Sequence, residues 1–114
     1  VKHRVIPTPG FEKELRPLLK RHRSLAKDLL KLEQELEAKP NTGTPLGHGL
    51  YKVRLAIASK GKGKSGGGRV ITYVVTEDAE VYLLSIYDKS EYDSVDTKAM
   101  KQVAAELRTS KPKR

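Results

Sequence analysis

The stretch SKGKGKSGGGR, at positions 59–69, holds three lysines, five glycines and a closing arginine. Just upstream, LYKVRLAIA (50–58) places Lys52 and Arg54 two residues apart. Residues two apart on a strand share a face, so both cations project from the side opposite Tyr51, Val53, Leu55 and Ile57. The glycine-rich loop joins that strand to RVITYVV (69–75), which Arg69 opens. Lys52, Arg54 and Arg69 can therefore converge with Lys60, Lys62 and Lys64. Such a cluster repels itself unless an anion compensates it. The anion that suits it is a phosphate backbone. The alternative is a plain glycine-rich connection between antiparallel strands, kept soluble by its lysines.

A nucleotide-binding P-loop is excluded. GKS at 63–65 supplies the end of G-x-x-x-x-G-K-[ST], but the position that should carry the first glycine is Ala58. The segment that follows is β-branched and reads as a strand, so no helix N-terminus is there to hold phosphates. Other chemistries are poorly supplied. There are no cysteines, which removes thiolate metal sites, disulfides and cysteine nucleophiles. His3, His22 and His48 have no metal-ligand spacing. His48 precedes the basic strand and reads as a turn histidine. Glu91, in DKSEY, has two readings, a base or an ion-pair partner that orients a cation, the second being favoured, and Asp88 carries the same two. KRHR (20–23) is either a solvated turn or a contact to RNA.

Few elements are needed to position these residues. HRVIPT (3–8) reads as a strand stopped by Pro7 and Pro9. PGFEKELRPLLKRH (9–22) has helical periodicity through Phe11, Leu15, Leu18 and Leu19, with a kink or break expected at Pro17. SLAKDLLKLEQELEAK (24–39) is the clearest helix, with Leu25, Leu29, Leu32 and Leu36 on one stripe and Ser24 as N-cap. PNTGTPLGHG (40–49) reads as a turn-rich link. Strands follow at 50–58, 69–75 and 79–89, with TEDAE (76–80) short enough to close a hairpin. TKAMKQVAAELRTSK (97–111) is a helix with Met100, Val103, Ala104 and Leu107 inward, and KPKR trails off as a basic tail. Strands grouped apart from helices indicate an α+β fold in the order β-α-α-β-β-β-α.

The 114 residues fit one domain, 1–114, with a modest core. Net charge is +9, from 23 Lys and Arg against 14 Asp and Glu. A small domain this basic points to a polyanionic partner. No apolar run is long enough to span a membrane. VKHRVIPTPG lacks a signal-peptide core and an initiating Met, as expected of a trimmed or processed chain.

The segment PLGHGLYKVRLAIASKGKGKSGGGRVITYVV, followed by VYLLSIYDKSEY, resembles the RelE/HigB group of toxins from type II toxin–antitoxin modules, within the RelE/ParE superfamily. The likeness runs over residues 3–107 and is closest to the HigB-like branch with a long GKSGGxR loop. It implies a small antiparallel sheet flanked by helices, in agreement with the element reading. It also implies a ribosome-dependent mRNA endonuclease that uses the RNA's own 2′-hydroxyl and needs no metal or cofactor. The partners it implies are the ribosome, mRNA and a cognate antitoxin, often with a helix-turn-helix domain, in the cytoplasm of a bacterium or archaeon. Lys52 and Arg54 then orient and activate the 2′-hydroxyl or stabilise the phosphorane. Arg69 clamps the scissile phosphate, and Lys89 assists the leaving group. Lys60, Lys62 and Lys64 line the substrate lip. Tyr87 and Tyr92 are the candidates to stack on a base or hold the phosphate. The position of the C-terminal tyrosine of some relatives is Val95 here. Two other classes remain open: a toxin of the same fold that inhibits DNA gyrase by binding, as ParE relatives do, and a non-catalytic RNA-binding module.

Overall fold

Pro7 and Pro9 set the first boundary. Between them Thr8 caps the first helix: its Oγ1 accepts the Phe11 N–H at 3.3 Å and donates to the Leu83 carbonyl at 2.8 Å. A proline at the start of a helix forfeits no hydrogen bond. The computed structural model describes residues 2–61, 66–91 and 96–110. It runs β1 (Arg4–Pro7), α1 (Pro9–Arg21), α2 (Leu25–Ala38), β2 (Thr44–Gly47), β3 (Leu50–Leu55), β4 (Gly68–Val75), β5 (Glu80–Asp88) and α3 (Thr97–Ser110). Short 3₁₀ turns lie at Ala58–Lys60 and Thr76–Asp78.

The α+β class and the expected elements are present, with three differences. α1 passes through Pro17 as one helix. Pro17 and Lys13, whose carbonyl loses its donor, both lie on the exposed side, where water can replace the missing bond. The buried side, Phe11 and Leu18, is undisturbed. The segment read as a link contains β2, a short edge strand that tolerates Pro45 because its outer edge pairs with nothing in the sheet. The sheet order is β1-β5-β4-β3-β2. β1 lies parallel to β5 and the other pairs are antiparallel, so the sheet is mixed and not the wholly antiparallel one expected: α1 and α2 carry the chain from β1 back over one face before the antiparallel strands begin.

Helices cover both faces. On one face α1 and α2 bury Phe11, Leu18, Leu25, Leu29, Leu32 and Leu36 against Val53, Leu55, Val70, Leu83 and Ile86. On the other, Met100, Val103, Ala104 and Leu107 of α3 pack on Leu50, Ile71, Tyr73, Tyr82 and Leu84. α3 is capped by Asp96, whose Oδ1 accepts the Ala99 N–H at 3.1 Å.

The first core holds one misfit. Thr72 is fully buried, and its Oγ1 has no hydrogen-bond partner among the described residues. A stranded hydroxyl costs its desolvation. Thr72→Val is therefore expected to stabilise the fold by about 1 kcal/mol. Urea unfolding checks this: the midpoint should rise at unchanged slope.

Candidate functional site

β3 alternates as its sequence demands: Val53 and Leu55 are buried, Lys52 is half-buried and Arg54 is exposed. Register carries those cations to the neighbouring strands. Arg54 lies opposite Arg69, and Arg69 opposite Tyr87; one step along, Lys52 lies opposite Ile71, and Ile71 opposite Ser85. With strands about 4.8 Å apart, Arg54, Arg69 and Tyr87 form one row across three strands. Lys52 sits beside the row on the same face. This is the face that α3 covers, but its apolar cluster stops at Ile71, and the cationic row continues beyond it.

A bulge makes the row. β4 and β5 slip register between Ile71 and Thr72, leaving Leu84 as the extra residue on β5. Leu83 and Ile86, three apart, both reach the core under α1 and α2. Tyr87 is thereby brought beside Arg69. Without the slip Ile86 would face Arg69 and the tyrosine would point into the core.

Arg69 is 6% exposed, and its Nη1 donates to the Gly68 carbonyl at 2.9 Å. An arginine keeps its charge in such a setting. Burial raises the Tyr87 phenol above its ordinary value, and the Arg69 charge acts in the opposite direction. The phenol thus stays protonated near neutral pH and is suited to donate a hydrogen bond.

The glycine loop is bolted at its roots. Gly67 packs so closely that a Cβ there would lie 2.1 Å from the Leu55 carbonyl oxygen, which only glycine permits. The Gly67 carbonyl accepts the Lys89 N–H at 3.1 Å. At the entry, the Ala58 N–H donates to Asp28 Oδ2 at 3.0 Å, and Ser59 N–H to Ser24 Oγ at 2.8 Å. Ser24 occupies the N-cap position of α2, as expected, but its hydroxyl donates to Asp28 Oδ2 at 2.6 Å instead of capping.

Lys60 is used differently from the lip reading. Its Nζ lies 2.6 Å from Asp88 Oδ1, with side-chain exposures of 12% and 5%. Asp88 also faces His22 Nε2 at 3.1 Å and accepts the Ser90 N–H at 3.0 Å and the Ser90 hydroxyl at 2.8 Å. Burial alone would raise the Asp88 pKa, but the hydrogen bonds from Lys60 and Ser90 and the Lys60 charge outweigh it and hold the carboxyl well below its ordinary range. Lys89 is exposed just beyond β5. Lys62, Lys64 and Tyr92 lie outside the described residues.

Sequence reasoning missed the Asp88–Lys60–His22 cluster, since its members are far apart in the chain. Glu91 does pair with a cation, Arg21, at 2.8 Å. Beside Tyr87 a groove of about 420 Å³ runs between α1 and the end of β5, lined in part by Glu14, Arg21, Ser85 and Asp88. Its walls carry the carboxylates of Glu14, Asp88, Glu91 and Asp96, which disfavour a phosphate there. Among the described residues no group of three or more His, Asp or Glu could hold a metal ion. No described helix is long and apolar enough to cross a membrane.

Several solved structures share this fold. An E. coli RelE toxin double mutant in the free state matches with a TM-score of 0.64 and 22% identity, covering 90% of this chain and 99% of that one. The toxin–antitoxin complex RelBE2 from Mycobacterium tuberculosis matches at 0.59 and 19% identity, over 77% of this chain and 99% of that one. The isolated E. coli RelE toxin matches at 0.54 and 15% identity, over 94% and 99%. At these identities the likeness establishes the fold. The family model for the RelE toxin of the RelE/RelB toxin–antitoxin system matches residues 4–113, and the chain belongs to that toxin family.

Proposed function

We propose that the chain is a ribosome-dependent mRNA endonuclease and the toxin of a toxin–antitoxin pair. The observation that carries this reading is the row of Arg54, Arg69 and Tyr87 with Lys52 beside it, across three paired strands. The RNA's 2′-oxygen attacks the adjacent phosphorus, the bond to the 5′-oxygen breaks, and the products are a 2′,3′-cyclic phosphate and a free 5′-hydroxyl. The proton lost from the 2′-hydroxyl passes to a base, and one is delivered to the leaving oxygen. In this reading Lys52, beside the row, orients the 2′-hydroxyl and Lys89, just beyond β5, assists the leaving oxygen. Negative charge grows on the non-bridging oxygens as the phosphorane forms. Fixed cations stabilise that charge more than the ground state, which is what lowers a barrier. The buried Arg69 acts at reduced dielectric and the Tyr87 hydroxyl adds a donor.

No step calls for a metal or cofactor. The partner is a cognate antitoxin, in keeping with the complex formed by the M. tuberculosis relative, and the site of action is the translating ribosome in the cytoplasm.

Inducible expression in a bacterium tests the reading, wild type against Lys52→Ala/Arg54→Ala, with growth and mRNA 5′ ends recorded. The expected result is growth arrest with new in-frame mRNA ends, both lost in the variant. Arrest with intact mRNA would overturn the nuclease and favour inhibition of gyrase by binding.

A further inference from the structure

A second groove, of about 320 Å³, lies between the β2–β3 turn and one flank of α3. Lys98, Lys101, Gln102 and Arg108 line it from α3, His48 lines it from the turn, and only alanines lie between them. Among the described residues no carboxylate lines it, in contrast to the groove beside Tyr87.

Each cationic member is placed. Lys98, Lys101 and Arg108 recur at helical spacing along the flank of α3 beside its buried stripe, and span about 15 Å along the axis. A nucleic-acid strand offers a phosphate about every 3.4 Å of helix axis, so that span meets several charges. The Lys101 ammonium reaches to 3.7 Å from where a Cβ on Gly47 would stand, so helix and turn form one wall. Arg108 is held by the Tyr73 hydroxyl, to which its Nε donates at 3.0 Å, and lies 5.9 Å from the centre of that ring. His48 has φ +56, between Gly47 at +89 and Gly49 at +81. Of these three turn residues, only the one lining the groove has a side chain, in the left-handed backbone region that favours glycine.

We infer that this groove is a second binding site, for the phosphate backbone of structured RNA, separate from the cationic row. The identification of that RNA with the ribosome rests on the nuclease reading. An acidic protein segment is the lesser fit, because protein interfaces are built around apolar anchors and this groove offers nothing apolar larger than alanine. In this arrangement the α3 groove holds the enzyme on folded RNA while the row works on single-stranded message.

The test measures affinity for a short labelled RNA duplex over a range of salt, alongside mRNA cleavage on purified ribosomes. Lys98→Glu/Lys101→Glu is expected to weaken duplex binding by about tenfold or more near physiological salt. It should also reduce the slope of log affinity against log salt by about 2, one unit per lost phosphate contact. Lys98→Gln/Lys101→Gln should move both quantities the same way by less, with an unchanged helical circular dichroism spectrum. At saturating ribosomes kcat should hold while KM rises. Duplex affinity that is unchanged in both variants overturns the site, whatever cleavage does. So does a preference of the groove for polyglutamate over the duplex. Charge-dependent duplex binding in a wild type that cuts no mRNA supports the groove and removes the nuclease reading.

Discussion

Arg69→Ala is expected to lower ribosome-dependent mRNA cleavage by about 10²–10³-fold, the usual effect of deleting one preorganised donor to a developing anion. Arg69 is the middle member of the row, between Arg54 on β3 and Tyr87 on β5, so any phosphate that touches both neighbours touches it. It is also the buried cation of the row, whereas Arg54 is exposed. Water and salt screen an exposed charge, so Arg54→Ala should cost less. Arg69→Lys keeps the charge and loses the planar fork, and partial activity is the expected outcome. The loss should fall mainly on kcat at saturating ribosomes, because the interaction strengthens as charge builds. A melting curve on the same samples separates this from unfolding: the buried side chain leaves a void, but Arg54 loses a like-charged neighbour. Cleavage within about threefold of wild type, in a folded variant, would remove Arg69 from the reacting centre.

What was legible in the sequence was local. The phase of β3 could be read because a two-residue period and a change of polarity coincide: Val53 and Leu55 inward, Lys52 and Arg54 outward. The leucine stripe of α2 and the inward face of α3 were readable for the same reason, at a helical period. The bulge was less legible. A strict alternation through VYLLSIYDK places Leu83 and Ile86 on opposite faces, and only the pairing with β4 shows that both lie in one core. β2 is too short, and too interrupted by Pro45, for any period to declare itself. Pro17 reads as a breaker because sequence does not tell which side of α1 it occupies; on the solvent side its cost is met by water. Lys60 looked like one of three equivalent loop lysines. Its partner lies 28 residues away, and nothing local separates it from its neighbours. A lysine-rich loop therefore conceals a division of labour, in which at least one lysine fastens the loop root.

That fastening gives the second large effect. Asp88→Ala is expected to destabilise the fold by about 3 kcal/mol or more, because it leaves the largely buried Lys60 ammonium uncompensated and takes the carboxylate from His22 and Ser90. The double variant Lys60→Met/Asp88→Leu should cost well under the sum of the singles, since both charges leave together. Urea unfolding of the four proteins measures the coupling. A cost below about 0.5 kcal/mol for Asp88→Ala, typical of surface substitutions, would show that water screens the pair in solution. The sign with pH follows from the depressed carboxyl. In the unfolded chain Asp88 titrates near its ordinary value of about 3.9, and in the folded protein well below it. The folded state thus binds fewer protons across that interval, and stability falls as pH drops from about 4 downward. Asp88→Asn should remove this component and flatten the acid limb of the stability profile. The effect also reaches the row. Asp88 pairs with Gly68, next to Arg69, and the neighbouring Lys89 N–H holds the Gly67 carbonyl. Asp88→Asn should therefore lower kcat at temperatures where the variant remains folded, because the buried arginine is aimed from a loop root that the carboxylate holds in place.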